Sequence, residues 1–403
     1  MHKLYTDLGL IDTLKNIITP SKKDVRHEQR TFGSQVPKGS AIAVNSDTAL
    51  TFTAVWAAIR LLSESVSSLP ISVYEIDKNG DKVEAKANPV YNLLKYKPNN
   101  FQNKITFLEF LMLGICTKGE SFFYIERDSR SSIPLQLLPL NIDETDVVQK
   151  EGKLFYDTQY GLKDAEDVLH FKTITKDGIR GMSPIEQCKN SIGWGLSVEE
   201  YGNTFFKNGA KLSGVLSTDR ALSETAIGRL KNSFNNIYAQ LTSANSTVVL
   251  EEGLTFKPVS ISPDQAQFLA SRTFSVEEVA RIYNLPPHMI GDLSKSSFNN
   301  IEMQSQEFVT YTLMPYLVRI EQEMNLKLFR TNELGKVFVQ FNVNALLRGN
   351  TKDRSEFYRT MVNIGVMSIN EVRGKENMNK IDGGDKHFMQ LNMTTIDKIG
   401  ENE

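Results

Sequence analysis

From Phe52 onward the apolar residues recur every third or fourth position, at Val55, Ile59, Leu62 and Val66, and Pro70 follows the run. That period lays one apolar stripe along a helix, and proline, which lacks an N–H and clashes with the preceding turn, ends it. The next segment, ISVYEI, alternates as a strand does, with Asn79-Gly80 supplying the tight turn of a hairpin. A second helix is predicted to open near Pro89, and a third to run through ITFLEFLMLGICTK to a stop at Gly119. SFFYIE, LQLLPL, LFYDTQY and VLHFK follow as strand candidates. Residues 45–182 therefore read as a mixed α+β module.

The pattern then lengthens. Ser183-Pro184-Ile185-Glu186 combines a capping serine, a proline at the first helical position and a glutamate at the third. The helix it predicts carries Ile185, Cys188, Ile192 and Leu196 on one stripe, and a run to Asn208 would span roughly 37 Å at 1.5 Å per residue. Gly193-Trp194-Gly195 weakens it, which either close packing of adjacent subunits or a local kink would explain. Asn208-Gly209 closes the helix. A compact insert follows: strand-like SGVLST, helical SETAIGRLKNSFNNIYAQ, and STVVLEEGLTFKPVSI as two strands turning at Glu252-Gly253. Ser262-Pro263-Asp264-Gln265 repeats the start signal for a helix with the stripe Leu269, Val276, Val279 and Tyr283, and Ser275 with Glu278 predicts a kink or restart inside it. Leu285-Pro286-Pro287 must interrupt that helix, and 285–298 read as a loop. From Asn299 to about Phe329 the pattern is one long helix that Pro315 should kink. KVFVQFNV is a strand candidate, and DRSEFYRTMVNIG and MSINEVRGKENM are helices, the latter opened by Ser368 and Glu371. Two long helices leading to and from a small insert make a stalk. Its amphipathic stripe needs a partner, and neighbouring copies are the simplest supply.

Composition narrows the function. A chain of 403 residues divides into two to four substructures. Its net charge of -2 provides no global basic field, so any DNA it touches is held loosely. Cys116 and Cys188 stand in unrelated contexts, which argues against a disulfide framework and a structural zinc site and for two small buried hydrophobes. The N-terminus carries Asp7 and Asp12 inside its apolar stretch and reads as no signal peptide; residues 1–44 read as a polar arm. Phe107–Thr117 contains Glu109 and is too short for a membrane span, so the protein is expected in the cytoplasm when made.

The same residues offer no familiar enzyme signature. GICTKGES at 114–121 lacks the Gly-Lys pair of a phosphate-binding loop, and HExxH, GxSxG and paired Cys-His spacings do not occur. Asp382-Gly383-Gly384-Asp385 is a surface turn before it is a metal loop. His170 is read as a strand residue and His288 as a loop residue, neither with a visible acid or nucleophile partner. No catalytic residue, metal or cofactor is assigned, and a catalyst built on carboxylates without a recognisable motif stays as the alternative.

RGMSPIEQC, EEYGNTFFKNGAKLSGVL, EEGLTFKPVSISPDQAQFLASRTFSVEEVARIYNLPPHMIGDLSKSSFNN and EFVTYTLMPYLVRIEQEMN occur in that order, with YNLLKYKPNN upstream and MSINEVRG downstream. Together they cover most of the chain and resemble the portal proteins of long-tailed, siphovirus-type phages. The resemblance implies an α+β, mainly helical portal fold and a dodecameric ring rather than an enzyme. Residues 45–182 would be the wing, 183–208 and 262–284 the stem helices, and 209–261 the clip. Residues 285–298 would be the tunnel loop, 299–349 the long kinked helix returning to the wing, and 350–403 the crown and tail. The implied partners are double-stranded DNA, the terminase large subunit, the major capsid protein and scaffold, and a head-completion adaptor. The implied location is the portal vertex of the virion, after assembly in the host cytoplasm and away from any membrane.

Two sets of residues follow as candidates. The loop's only formal charges are Asp292 and Lys295, among Ser294, Ser296, Ser297 and Asn299. Few charges mean few neutralised phosphates, which suits sliding DNA; an ordinary solvated loop is the alternative. In the insert, Arg229 and Lys231 stand against Glu251 and Glu252, a mixture better matched to protein docking than to tight DNA binding.

Overall fold

The computed structural model describes residues 25–27, 43–207, 214–217, 255–258, 265–291, 306–343, 351–376 and 378–388, with isolated helical residues between 223 and 232 and at 304. The chain divides into two packed units, 1–68 with 72–340, and 69–71 with 341–403.

Helix α1 (Ser46–Leu50) is capped by Asn45. Helix α2 (Thr53–Ser68) buries the predicted stripe of Val55, Ile59, Leu62 and Val66. Helix α3 (Pro89–Lys95) starts at a capping Asn88. Helix α4 (Lys104–Lys118) is capped by Asn103 and closed by Gly119 at φ 81°. It buries Phe107, Leu108, Leu111, Met112, Ile115 and Cys116, because it packs against α2 and also against a sheet. Burial pushes the Cys116 thiol up to about 12.

That sheet holds β4 (Glu120–Arg127) between β5 (Pro134–Pro139) and β9 (Val168–Lys172), antiparallel on both sides. Successive side chains of a strand face opposite ways. Phe123 meets Phe107 and Phe110 of α4 at 4.4 and 5.6 Å, whereas Phe122 joins Leu140, Val147, Tyr156 and Val168 on the other face. Both faces are covered, which is why the strand reads as a continuous apolar run.

A second sheet has the order β1–β6–β7–β8, with β1 (Val25–His27), β6 (Asp146–Lys150), β7 (Lys153–Thr158) and β8 (Gly161–Asp164). A third has the order β12–β2–β3, with β2 (Ile71–Ile76), β3 (Lys82–Glu84) and β12 (Val337–Phe341). Gly80, at φ 88°, turns the β2–β3 hairpin.

Beyond the sheets come α5 (Pro184–Gln187), α6 (Lys189–Lys207), the antiparallel pair β10 (Gly214–Ser217) and β11 (Thr255–Pro258), and α7 (Gln265–Ile282), with α6 packed along α7. Three expectations change here. The first predicted helix breaks at Cys188, which leaves helical geometry at φ -112°, ψ 20°. Helix α7 runs unbroken through Ser275: that side chain is buried and its hydroxyl donates to the Ser271 carbonyl at 2.9 Å, so it supports the helix instead of restarting one. Gly193 and Gly195 lie within a continuous α6 and make room for this chain's own N-terminal elements. A Cβ on Gly195 would stand 2.6 Å from the Phe52 ring, and one on Gly193 would stand 3.2 Å from Val44.

After α7, Pro287–Ile290 forms a single 3-10 turn ending at Gly291, φ 99°. A π turn, Phe308–Leu313, leads into α8 (Met314–Leu328), with Pro315 in its first turn. Proline cannot donate to the carbonyl four residues back. That carbonyl, of Tyr311, instead accepts from Asn284 Nδ2 at 3.1 Å. The irregularity beside Pro315 is this π turn, and the proline opens α8 instead of sitting in mid-helix.

Helix α8 also seals the outer edge of β9. Lys327 Nζ donates to the Val168 carbonyl at 2.5 Å, the His170 N–H donates to Glu323 at 2.9 Å, and Glu323 and Lys327 pair at 3.0 Å one turn apart. An unpaired strand edge is thereby closed.

In the second unit, α9 (Thr351–Asn363) is tied to α10 (Ile369–Lys375) at its C-cap, where Arg354 and Tyr358 reach Glu376 at 3.2 and 2.9 Å. Ser368 and Glu371 form the predicted capping box. Residues 382–385 are a turn, and Asn370 clasps it by receiving the Ile381 N–H at 2.9 Å and donating its own N–H to the Gly384 carbonyl at 2.9 Å.

Candidate functional site

A helix leaves its last carbonyls without intrahelical partners. At the end of α4 the segments that begin and end the two long helices supply them. Ser183 Oγ donates to the Thr117 carbonyl at 2.6 Å and accepts the Glu186 N–H at 3.1 Å, so one hydroxyl caps α5 and attaches it to α4. Tyr283, one residue past α7, donates its hydroxyl to the Cys116 carbonyl at 3.1 Å. The Thr173 N–H donates to the Gly119 carbonyl at 2.8 Å, and its hydroxyl lies 2.8 Å from the Met182 carbonyl.

These attachments need the backbones to touch. A Cβ on Gly181 would stand 2.1 Å from the Gly119 oxygen, and one on Gly119 would stand 2.2 Å from the Met182 oxygen. No side chain larger than hydrogen fits either place.

Beside this contact lies a buried polar chain. Glu120, Phe122, His170 and Lys172 share one face of the β4–β9 pair, because Phe122 opposes His170 and Glu120 opposes Lys172 in the register. Glu120 has no exposed surface and His170 is 2% exposed. Arg180 Nε donates to the Glu120 carboxylate at 2.9 Å, a second guanidinium nitrogen reaches the same oxygen, and the Gly181 N–H donates to the other oxygen at 2.9 Å. His170 Nε2 lies 3.1 Å from that carboxylate, and its Nδ1 lies 3.1 Å from the Tyr156 hydroxyl.

The geometry assigns the protons. A neutral imidazole has one donor and one acceptor, so Nε2–H donates to Glu120 and Nδ1 accepts from Tyr156. Burial opposes a charge on Glu120, but hydrogen bonds from His170 and Arg180 outweigh it and hold the carboxyl below its ordinary range. Burial dominates at His170 and pushes the imidazole down to about 4, although Glu120 pulls the other way. Burial, reinforced by the charges of Glu323 and Glu120, raises the Tyr156 phenol. One carboxylate and one guanidinium thus balance beside a neutral ring. Acid–base catalysis needs a group that can reach a substrate. Neither Glu120 nor His170 offers surface for one, so the arrangement is a joint.

The phage portal protein family matches residues 53–377. The chain belongs to that family. The portal protein of Enterobacteria phage HK97 is 31% identical over 369 residues, covering 90% of this chain and 87% of that relative. The probable portal protein of Streptomyces phage phiC31 is 31% identical over 378 residues, covering 88% and 82%. Among solved structures, an HK97-family phage portal protein from Corynebacterium diphtheriae superposes with a TM-score of 0.56 at 17% identity, over 75% of this chain and 96% of that one. A neck protein of the native gene transfer agent particle, computed with C12 symmetry, gives 0.57 at 19% identity, over 85% and 96%. The α+β portal fold follows, and the protein is a structural component of a phage head.

Of the residues singled out from the sequence of this portal chain, Arg229 is an exposed helical residue. Lys231, Glu251, Glu252, Asp292, Ser294, Lys295, Ser296, Ser297 and Asn299 lie outside the described residues. His170 is a strand residue as expected, but it does have an acid partner, Glu120, fifty positions away. The joint was missed for that reason. Its signals were a glutamate opening an apolar strand and the Arg180-Gly181 pair before the capping Ser183. Among the described residues no helix is long and apolar enough to cross a membrane.

Proposed function

We propose that this portal protein forms a dodecameric ring at one capsid vertex. The ring is the channel for packaging and ejecting double-stranded DNA, and it docks the terminase motor first and head-completion and tail proteins later. The observation that carries the reading is the pair α6 and α7, packed together and fixed at one end to α4, with the antiparallel β10–β11 pair between them in the chain. The stalk's aromatic residues Trp194, Tyr201 and Phe274 are each more than half exposed, which suits head-to-tail packing of copies around a closed rotation. In this reading 45–182 with 299–349 form the wing, 183–208 and 262–284 the stem, 209–261 the clip, 285–298 the tunnel loop and 350–403 the crown. DNA passes Asp292, Ser294, Lys295, Ser296, Ser297 and Asn299, and the clip presents Arg229, Lys231, Glu251 and Glu252 to the motor and adaptor. The major capsid protein and scaffold surround the ring during assembly in the host cytoplasm. Electron microscopy and native mass measurement of the purified protein test this. Rings with a hole wide enough for a duplex are expected; a strictly monomeric species at micromolar concentration with native circular dichroism would sink the proposal.

A further inference from the structure

The buried chain at the stalk root has a property that an apolar joint would lack: it works in one protonation state. Closed, it needs Nδ1 of His170 as an acceptor for Tyr156 and Nε2–H as a donor to Glu120. A proton on Nδ1 makes the ring a donor there, so the Tyr156 oxygen must accept and its own O–H must swing out of the pair. At 3% exposure that O–H has little solvent to donate to, and the imidazolium becomes a second cation beside Arg180 on one buried carboxylate.

We propose that the Tyr156–His170–Glu120–Arg180 chain is a latch that holds the segment leading into α5 and α6 against the β4–β9 sheet, and that protonation of His170 releases it. The linkage is covalently short. Glu120 binds Arg180 and the Gly181 N–H, and the next residues along, Met182 and Ser183, meet Thr173 and the end of α4. Lifting the Arg180–Gly181 segment off Glu120 admits the water that a buried imidazolium needs, and it frees the segment that starts α5.

Charged groups face the imidazole from every packed element. Glu120 comes from β4, Lys172 from β9 itself, Arg180 from the segment before α5, and Glu323 with Lys327 from α8. Glu120 and Glu323 favour a proton on the ring; Lys172 opposes it, and desolvation outweighs them all. The folded ring therefore titrates below its ordinary 6.5, at about 4. The stabilisation is full above about pH 6.5 and is lost as the pH falls towards 4.

Hydrogen exchange on the full-length protein tests the latch, with rates corrected for the intrinsic pH dependence of exchange. One proton with these two affinities makes opening of 184–207 roughly twentyfold easier at pH 5 than at pH 7. Helix α2 should keep its protection over that range. In His170→Gln an amide N–H still faces Glu120 and nothing titrates, so the pH course should flatten. In Tyr156→Phe the donor to Nδ1 is gone, the ring takes a proton more readily, and release should move to higher pH. Unchanged wild-type protection between pH 7 and 5, equal loss in α2, or an unaltered pH course in His170→Gln overturns the proposal. Should His170→Gln not fold, an unaltered course in Tyr156→Phe does the same. The inference rests on reading these helices as the stem, yet exchange reports the joint whether or not rings form, so particle mass and exchange fail separately.

Discussion

Replacing Arg180 with methionine leaves Glu120 fully buried, with the His170 and Gly181 N–H groups as its only remaining donors among those described above. Removing one partner of a buried ion pair costs about 3–5 kcal/mol, because the other charge loses its counter-ion without regaining water. The structure supplies a partial remedy. His170 already touches the carboxylate, and with the guanidinium gone it can take a proton and become the counter-ion. Its folded affinity for a proton then rises above the unfolded value, so the variant gains stability as the pH falls, opposite to wild type. Urea unfolding followed by circular dichroism at pH 8 and pH 6 checks both parts. Arg180→Met should lose about 3–5 kcal/mol at pH 8, and the gap to wild type should narrow by more than about 1 kcal/mol at pH 6. Glu120→Gln added to Arg180→Met removes the orphaned charge and should recover most of the loss. A cost under about 1 kcal/mol at pH 8, or a double variant no better than the single, would refute the view that this pair is a buried ionic joint.

Gly195→Ala should lower stability by about 1–3 kcal/mol, since its Cβ meets the Phe52 ring, and Phe52→Leu should relieve part of the loss in a thermal melt. Ser183→Ala removes both the α5 cap and the bond to the Thr117 carbonyl; a cost of about 1–2 kcal/mol, with faster exchange at 184–187, is the expected result. Arginine at positions 294, 296 and 297 should slow packaging and make it more salt-dependent while rings still assemble, measured as DNA per capsid against time at two salt concentrations. Charge reversal at Arg229 and Lys231 should leave rings intact and weaken motor or adaptor docking, read as infectivity and tail joining.

Much of the fold was local and therefore readable. The stripe of α2, the capping of α5 by Ser183 and the stop at Gly119 depend on neighbours within a few residues. Strands β6 and β8 were not foreseen, because DVVQK and GLKD are short and largely polar and gain their order from pairing with β7. The two glycines of α6 looked like a flaw or a subunit contact, since Phe52 and Val44 are remote in sequence. Glu120, His170 and Arg180 are separated by fifty and sixty positions, so only strand register brings them together. Ser275 carries a helix-start pattern in sequence, and the competing bond to the Ser271 carbonyl appears only once the helix exists.

Anchoring both long helices on adjacent carbonyls of one helix end has an evolutionary consequence. The bonds from Ser183 and Tyr283 refer the near ends of α6 and α7 to the same fixed point, so their spacing there does not depend on what joins their far ends. Insertions or deletions between 208 and 264 need not disturb that mounting. A lineage can therefore vary the segment between the two helices while the root that sets their spacing keeps its dimensions.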